Sequence, residues 1–98
     1  MAQIKWTLQA ADDLEAITEF IALVSGYYPT LFALDIFAAI EKLEQFPKLG
    51  RIVPETQDPD VREVLFGNYR IIYRLRPGLI EIISIYHGAR LLDPSRLK

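Results

Sequence analysis

Cysteine, histidine and long apolar runs are scarce or absent in this chain of 98 residues. There is no cysteine, which excludes disulfide bonds and cysteine-ligated metal sites. No uninterrupted apolar run reaches the roughly 18 residues that a membrane-spanning helix needs. No basic segment followed by an apolar stretch opens the chain, so we expect no signal peptide. These absences predict a cytoplasmic protein with no membrane partner.

Metal and cofactor sites are also not expected. His87 is the one histidine of the chain, and no carboxylate cluster has the spacing of metal ligands. A glycine-rich loop that could bind phosphate is missing as well. We therefore expect neither a metal ion nor any other cofactor.

Charge is distributed unevenly along what we expect to be a single domain of residues 1–98. About half of the residues are apolar, which is enough for one modest core. The net charge is −2, with the acidic excess in residues 1–50 and a basic, arginine-rich excess in residues 51–98. Arginine is favoured where phosphate or carboxylate is recognised. The small net excess alone does not support nucleic-acid binding.

Two helices are predicted in the acidic half. Apolar residues recur at helical spacing over residues 10–24, and Ser25-Gly26 is expected to end that helix. Pro29-Thr30 opens a second helix over residues 31–46, which Pro47 ends.

The second helix is apolar on more of its surface than one buried face requires. One stripe consists of Leu34, Phe37, Ile40, Leu43 and Glu44, and the further apolar residues are Leu31, Phe32, Ile36 and Ala39. Either the helix is packed deeply in a small core, or the extra residues form a surface for a partner. Under the second alternative, Leu31, Phe32 and Ile36 bind the partner.

The basic half predicts an antiparallel meander. After a loop at residues 52–60, strands are expected at residues 61–66, 69–75 and 80–86. Gly67-Asn68 and Pro77-Gly78 are the expected hairpin turns. With a short strand at Ile4 and Trp6, the chain is predicted to be α+β, its helical hairpin packed on one sheet face.

A tight turn at Pro77-Gly78 also predicts the register of the last two strands. The expected pairs are Leu75 with Ile80, Arg74 with Glu81, Ile72 with Ile83, and Arg70 with Ile85. Strict alternation then places Arg70 and His87 on the same face, with Ile85 beside them and Tyr86 on the opposite, core face. A histidine near an arginine could act as a general acid or base while the arginine holds a phosphate.

Short motifs in a fixed order resemble the RelE/ParE superfamily of bacterial toxins from type II toxin–antitoxin modules, over nearly the whole chain. The motifs are Trp6, Ala11-Asp12-Asp13-Leu14 with Ile17, Phe46-Pro47, Gly50-Arg51, Val53-Pro54-Glu55, Val61-Arg62-Glu63, Tyr69-Arg70-Ile71-Ile72-Tyr73 and His87-Gly88-Ala89-Arg90. The resemblance implies a compact, growth-inhibiting toxin, of the kind involved in plasmid stabilisation, around which the C-terminal segment of a cognate antitoxin wraps.

The resemblance leaves the target open, because one branch cleaves messenger RNA on the ribosome and the ParE branch poisons DNA gyrase. Glu55, Arg70 and His87 match the catalytic residues of the ribonuclease branch, so an enzyme of this kind would be a metal-independent endoribonuclease. The acidic composition and the His-Gly-x-Arg ending are more similar to ParE, which we favour. Candidate residues for binding RNA or a protein target are Arg51, Arg62, Arg74 and Arg90. A third reading is a non-toxic interaction domain with the same fold.

Overall fold

The structure is a computed structural model that describes residues 2–24 and 28–88. Its elements are β1 (Gln3–Trp6), α1 (Leu8–Val24), α2 (Pro29–Gln45), β2 (Arg51–Ile52), β3 (Val61–Phe66), β4 (Tyr69–Arg76) and β5 (Leu79–His87). The strands form one sheet in the order β1-β5-β4-β3-β2, in which β1 lies parallel to β5 and the other neighbours are antiparallel. The predicted α+β fold is confirmed, and β2 was not predicted, since Ile52 was placed in the loop of residues 52–60. None of the helices among the described residues is long and apolar enough to cross a membrane.

Thr7 ties the start of α1 to the sheet. Its hydroxyl oxygen accepts a hydrogen bond from the backbone N–H of Ala10 at 3.1 Å and donates to the carbonyl of Ile82 at 2.9 Å. A threonine oxygen at this position satisfies one of the unpaired N–H groups of a helix start. The helix end predicted at Ser25-Gly26 lies outside the described residues.

The buried side of α2 combines Ile40 and Leu43 of the predicted stripe with Phe32 and Ile36, two of the further apolar residues. Phe32, Ile36, Ile40 and Leu43 are the buried side chains of this helix, whereas Leu31, Leu34 and Phe37 are exposed. The prediction that Phe32 and Ile36 form a surface for a partner is therefore wrong. The helix has apolar residues all round, so several stripes fit a period of 3.6 residues, and the sheet covers the one beginning at Phe32. Leu31 remains exposed, and its role in binding stays a prediction.

The hairpin turns set the strand bounds as predicted. Gly67 and Gly78 adopt φ angles of 56° and 67°, which glycine reaches without steric cost. The strand β3 has the predicted limits, and β4 and β5 extend slightly beyond theirs. Next to the turn at Pro77-Gly78, Leu75 pairs with Ile80 and Arg74 with Glu81, as expected.

A β-bulge beyond these pairs changes the rest of the register. The pairing shifts between Ile72 and Tyr73, so that Ile72 lies opposite Ser84 and Arg70 opposite Tyr86. An extra residue in one strand moves every later side chain to the other face. The predicted pairs of Ile72 with Ile83 and of Arg70 with Ile85 are therefore wrong.

Because of the bulge, the side chains at the end of β5 lie on the sheet faces opposite to those predicted. His87 now lies opposite Tyr69, on the face that the helices cover, while Tyr86 shares the other face with Arg70. The prediction that Arg70 and His87 project from one face is wrong, as is the assignment of Tyr86 to the core face.

Each face of the sheet has its own apolar cluster. The main core lies between the helices and the sheet and includes Ile36, Ile71 and Ile82. A smaller cluster on the opposite face consists of Val53, Val61, Ile72, Ile83 and Tyr86. Because Val53 is fully buried there, the loop that follows it is held against the sheet and brings Glu55 to the strands.

Candidate functional site

A chain of four charged side chains crosses the sheet face that the helices leave uncovered. Both terminal nitrogens of Arg70 donate to the two carboxylate oxygens of Glu55, each at 2.9 Å. The Nε of Arg70 donates to Glu63 at 2.6 Å, and the second carboxylate oxygen of Glu63 accepts from Nε of Arg51. The two carboxylates and two guanidinium groups cancel in formal charge.

Burial differs strongly along this chain. The carboxylate of Glu63 is inaccessible to solvent and the side chain of Arg70 is 10% exposed, whereas Arg51 at the sheet edge is 61% exposed. A buried charge needs a partner and hydrogen bonds, because the surrounding protein replaces its hydration poorly. Glu63 therefore depends on Arg70 and Arg51, and the network is part of the fold.

The loop between β2 and β3 positions Glu55. The backbone N–H of Val53 donates to Val61 at 3.0 Å, and the carbonyl of Val53 accepts from the N–H groups of Thr56 and Gln57. The hydroxyl of Thr56 donates to the same carbonyl at 3.1 Å. These bonds form a tight turn around Glu55, so its carboxylate is presented to Arg70 by a fixed backbone.

Protonation states in the network follow from the pairing. The hydrogen bonds from Arg70 lower the pKa of Glu55 below its ordinary value. Hydrogen bonding to Glu55 raises the pKa of Arg70 above its ordinary value, with Glu63 adding to the effect. Both members of the pair therefore stay charged, and neither is poised to exchange a proton near neutral pH.

His87 belongs to an aromatic cluster on the other face of the sheet. Its ring meets the ring of Tyr69 edge to face, with centroids 5.3 Å apart. Tyr69 in turn packs against Phe32 at 5.3 Å. The imidazole therefore packs against the aromatic residues at the end of the main core.

A cleft at the end of the sheet is lined by residues of both the ion-pair network and the aromatic cluster. It has a volume of about 320 Å³, and Arg51, Arg70 and His87 are among its lining residues. Gly67 and Asn68 of the β3–β4 turn form its rim. Of the predicted catalytic residues, the structure thus brings Glu55 and Arg70 into direct contact, whereas His87 and Arg70 only line the same cleft.

Among the described residues, the other arginines proposed for target binding do not line this cleft. Arg62 donates to the backbone carbonyls of Pro59 and Gly50, both at 3.0 Å. Arg74 lies opposite Glu81 in the register, and Arg76 forms an ion pair with Glu81 at 3.3 Å. Arg90 lies outside the described residues.

Glu63 is the site residue that the sequence analysis did not single out. It appeared only as the last residue of the Val61-Arg62-Glu63 motif. A carboxylate two residues after Val61 in a strand, at a position that alternation turns to the same face as Val61, is the signal that could have found it.

Comparison with known proteins decides the family. The model of the family described as "ParE toxin of type II toxin-antitoxin system, parDE" matches residues 4–92. The chain belongs to this family. As a ParE-family toxin, it is also 37% identical over 92 residues to "Toxin RelE2" of Caulobacter vibrioides, an alignment that covers 93% of this chain and 100% of that protein.

Solved structures agree with the fold of this ParE-family toxin. A chain of the "Chromosomal ParDE TA system from P. aeruginosa" superposes with a TM-score of 0.71 at 27% identity, covering 89% of this chain and 96% of the other. A chain of the toxin–antitoxin complex RelBE2 from Mycobacterium tuberculosis gives a TM-score of 0.61 at 19% identity, covering 88% and 96%. The second likeness concerns the fold alone.

Proposed function

We propose that this toxin inhibits DNA gyrase in the manner of the ParE branch, without catalysing a reaction, and that a cognate antitoxin neutralises it. The observation that carries the proposal is the double pairing of Arg70. Its Nε and both terminal nitrogens each donate to a carboxylate oxygen of Glu63 or Glu55.

A ribonuclease would need that guanidinium for the scissile phosphate. To bind Arg70, the phosphate would have to displace Glu55 from two charge-assisted hydrogen bonds, which are among the stronger ones in proteins. The displaced carboxylate would then repel the same phosphate. The pairing therefore supports a structural role for Arg70.

The position of His87 and the distribution of charge also support the gyrase proposal. A general acid and a phosphate-binding arginine must converge on one reacting group, but His87 and Arg70 project from opposite faces of the sheet. The chain has a net charge of −2, and a protein that enters ribosomal RNA gains affinity from a positive surface.

Neutralisation by an antitoxin is supported by the solved relatives. The chain from P. aeruginosa belongs to a ParDE toxin–antitoxin system, and the one from M. tuberculosis belongs to a toxin–antitoxin complex. Exposed apolar side chains of the toxin, including Leu31, Leu34 and Phe37, are suited to being covered by such a partner.

Expression of the toxin without an antitoxin tests the target. We expect growth arrest, a change in plasmid supercoiling and trapped gyrase cleavage complexes, with incorporation of labelled amino acids falling only later. Purified toxin should likewise inhibit supercoiling of a relaxed plasmid by purified gyrase. Prompt loss of translation with normal supercoiling would contradict the proposal, and growth without arrest would favour a non-toxic interaction domain.

One observation favours the ribonuclease as the second candidate. Glu55 and Arg70 do converge, and Arg70 lines the same cleft as His87. If substrate binding moved Glu55 away from Arg70, the cleft would present the guanidinium of Arg70 and the imidazole of His87 to a phosphate. Cleavage of messenger RNA at ribosomes in the same expression experiment, without gyrase cleavage complexes, is the result that this candidate requires.

A further inference from the structure

The turn that follows α2 carries two large apolar side chains into solvent. Phe46 is 61% exposed and Leu49 is 56% exposed. With Pro47 and Lys48 they line an open hollow of about 480 Å³, and this segment, residues 46–49, is called the 46–49 turn below. Neighbouring apolar side chains that the fold leaves in solvent mark a surface that another molecule can cover.

The 46–49 turn is fixed to the sheet. The backbone N–H of Leu49 donates to the carbonyl of Phe46 at 3.0 Å, which closes the turn. The buried hydroxyl of Tyr73 donates to the carbonyl of Pro47 at 2.8 Å and accepts from the N–H of Gly50 at 2.9 Å. One side chain of β4 therefore holds the backbone on two sides of the exposed residues.

Gly50 allows the chain to approach the sheet closely enough for these bonds. A Cβ atom there would lie 2.5 Å from the backbone oxygen of Glu63 and 2.7 Å from the hydroxyl of Tyr73. The carbonyl of Gly50 also accepts from Arg62 at 3.0 Å. Because the backbone is already ordered, covering the apolar side chains of the 46–49 turn costs little further conformational entropy.

The charge around the 46–49 turn is positive in a chain that is acidic overall. Residues 45–54 contain Lys48 and Arg51 and no acid, and both cations are exposed. The Nε of Arg51 is paired with the buried Glu63, yet 61% of the arginine side chain is open to solvent. In contrast, α1 and α2 together contain seven acidic residues against one lysine, a net charge of −6. The turn and the helices therefore select partners of opposite charge.

The 46–49 turn is also distinct from the exposed apolar residues that are suited to the antitoxin. Those residues include Phe37 in the middle of α2, whereas Phe46 follows the end of the helix. At 1.5 Å per residue, Phe46 lies about 13.5 Å beyond Phe37 along the helix axis. Substitutions in the turn therefore leave the surface suited to the antitoxin unchanged.

The combination of apolar and basic side chains selects among the possible occupants. Two exposed cations are few for a nucleic acid, whose binding depends on many phosphate contacts. A second copy could place its acidic helices on the turn, but such a head-to-tail contact continues into an open chain unless it closes into a ring. Another protein, with an apolar pocket and carboxylates at the rim of the pocket, matches the side chains and the charge at once.

We propose that the 46–49 turn is the part of the toxin that contacts gyrase, with Phe46 and Leu49 in an apolar pocket of the enzyme and Lys48 opposite Asp or Glu residues at its rim. The assignment rests on the gyrase inhibition proposed above. Burial of the two apolar side chains supplies most of the affinity of this contact, and the charges set orientation and association rate.

Leu49→Asp tests the apolar part of the contact. It places a carboxylate at the centre of the interface, so binding of the full toxin to purified gyrase, measured by surface plasmon resonance, should weaken at least about tenfold. The concentration for half-inhibition of supercoiling should rise by the same factor. Leu8→Asp makes the same change at a 78% exposed residue of α1 and should stay within about twofold of the unmodified toxin. Circular dichroism should show both variants folded, because both positions are exposed.

A pair of charge reversals tests the basic part. Lys48→Glu should weaken gyrase binding roughly three- to tenfold and remove much of its dependence on salt, because an attractive pair becomes a repulsive one. Arg76→Glu makes the same change in charge at an exposed residue beside the β4–β5 turn and should stay within about twofold. Equal effects of the two reversals, or of Leu49→Asp and Leu8→Asp, would overturn the proposal.

Other occupants give their own signals. Leu49→Asp should bind the antitoxin within about twofold of the unmodified toxin, and an equal loss of antitoxin and gyrase binding would assign the turn to the antitoxin. Self-association that Leu49→Asp abolishes would assign it to a second copy. Binding of a short DNA duplex, without gyrase, that Lys48→Glu abolishes would assign it to nucleic acid. Each of these results overturns the proposal.

The unmodified toxin separates this contact from the proposed function. If it neither binds nor inhibits gyrase, the proposed target and the contact are both wrong. If it inhibits gyrase and Leu49→Asp inhibits equally well, the target is supported and the contact alone is wrong.

Discussion

Arg70 of β4 holds Glu55 of the β2–β3 loop through two parallel hydrogen bonds of 2.9 Å. The pair connects a loop that faces solvent to a carboxylate, Glu63, that solvent does not reach. Glu55 and Arg70, two of the three residues that resemble a catalytic centre in sequence, therefore belong in this fold to an ion-pair network that fastens a loop to the sheet. This relationship determines what substitutions at these positions should do.

The first prediction concerns stability. Arg70→Met should lower the free energy of unfolding by about 3–5 kcal/mol, because it leaves the buried carboxylate of Glu63 with Arg51 alone. Adding Glu63→Met should recover part of that loss, since no buried charge then remains unpaired. Urea denaturation followed by circular dichroism measures both. A double variant less stable than Arg70→Met would contradict a network in which the charges depend on one another.

The second prediction concerns the stability of the toxin at acid pH. The folded-state pKa of Glu55 is lowered by Arg70 from its ordinary value of 4.5, so its contribution to stability is present above pH 4.5 and is lost as the pH falls through the folded pKa. Unfolding free energy of the unmodified toxin should therefore decline below pH 4.5. The decline should be shallower in Glu55→Gln, and Glu41→Gln, at an exposed position of α2, is the control that should leave the slope unchanged. If unfolding free energy had the same slope against pH in all three proteins, protonation of Glu55 in its pair with Arg70 would not be coupled to folding.

How far the sequence predicts the fold depends on local signals. Gly67-Asn68 and Pro77-Gly78 are turn residues with a definite backbone requirement, and they placed the strands β3 to β5 within a residue or two. The bulge at Ile83 of β5, opposite Ile72 and Tyr73 of β4, left no such signal. Because β5 is apolar on both faces from Ile82 to Ile83 and again at Ile85 and Tyr86, alternation does not reveal a shift of one residue.

The candidate site, like the fold, could be predicted from the sequence only in part. The resemblance selected Glu55, Arg70 and His87, and the structure joins the first two. Their mutual pairing and the opposite face of His87 depend on the loop turn at Val53 and on the bulge, which are tertiary features. In α2, the apolar residues outnumber those the sheet can cover, so the choice of Phe32 over Leu31 as the buried residue follows from packing alone.

The third prediction follows from the burial of Phe32. Phe32 is 2% exposed and packs edge to face on Tyr69 and Phe66, so Phe32→Asp should unfold the toxin. Loss of a buried phenyl ring costs about 3–5 kcal/mol, and a buried carboxylate adds to it. Phe37→Asp is the matched control at a 43% exposed position and should keep the fold. A folded Phe32→Asp protein by circular dichroism and thermal melting would contradict the burial of this ring.

The fourth prediction concerns the stability of the toxin at alkaline pH. Tyr73 is buried; its hydroxyl accepts a hydrogen bond from the N–H of Gly50 at 2.9 Å and donates to the carbonyl of Pro47 at 2.8 Å. Burial raises its pKa above the ordinary 10.0, so the stability it contributes is complete below pH 10 and is lost as the pH rises toward the folded-state pKa.

Tyr73→Phe should therefore cost about 1–3 kcal/mol at neutral pH, because both backbone groups lose their partner. It should also reduce the loss of stability above pH 10. Tyr28→Phe is the control, since Tyr28 is 71% exposed. Chemical denaturation at pH 7 and above pH 10 provides the comparison. An unchanged alkaline profile in Tyr73→Phe would mean that another group governs unfolding in alkali.

The last prediction separates the two toxic mechanisms at His87. If the toxin acts on gyrase, His87→Ala should remain toxic, and stability should fall by about 0.5–1.5 kcal/mol for the lost edge-to-face contact with Tyr69. His87→Phe keeps an aromatic ring without a titratable group and is the matched control, which should retain both stability and toxicity. If the toxin is a ribonuclease, both variants should lose about 10²–10⁴ in rate, since a general acid or base would be gone. Growth arrest, RNA cleavage and thermal stability measured together separate the two mechanisms from simple unfolding. A folded His87→Phe protein that neither arrests growth nor cleaves RNA, while the unmodified toxin does both, would overturn the gyrase proposal.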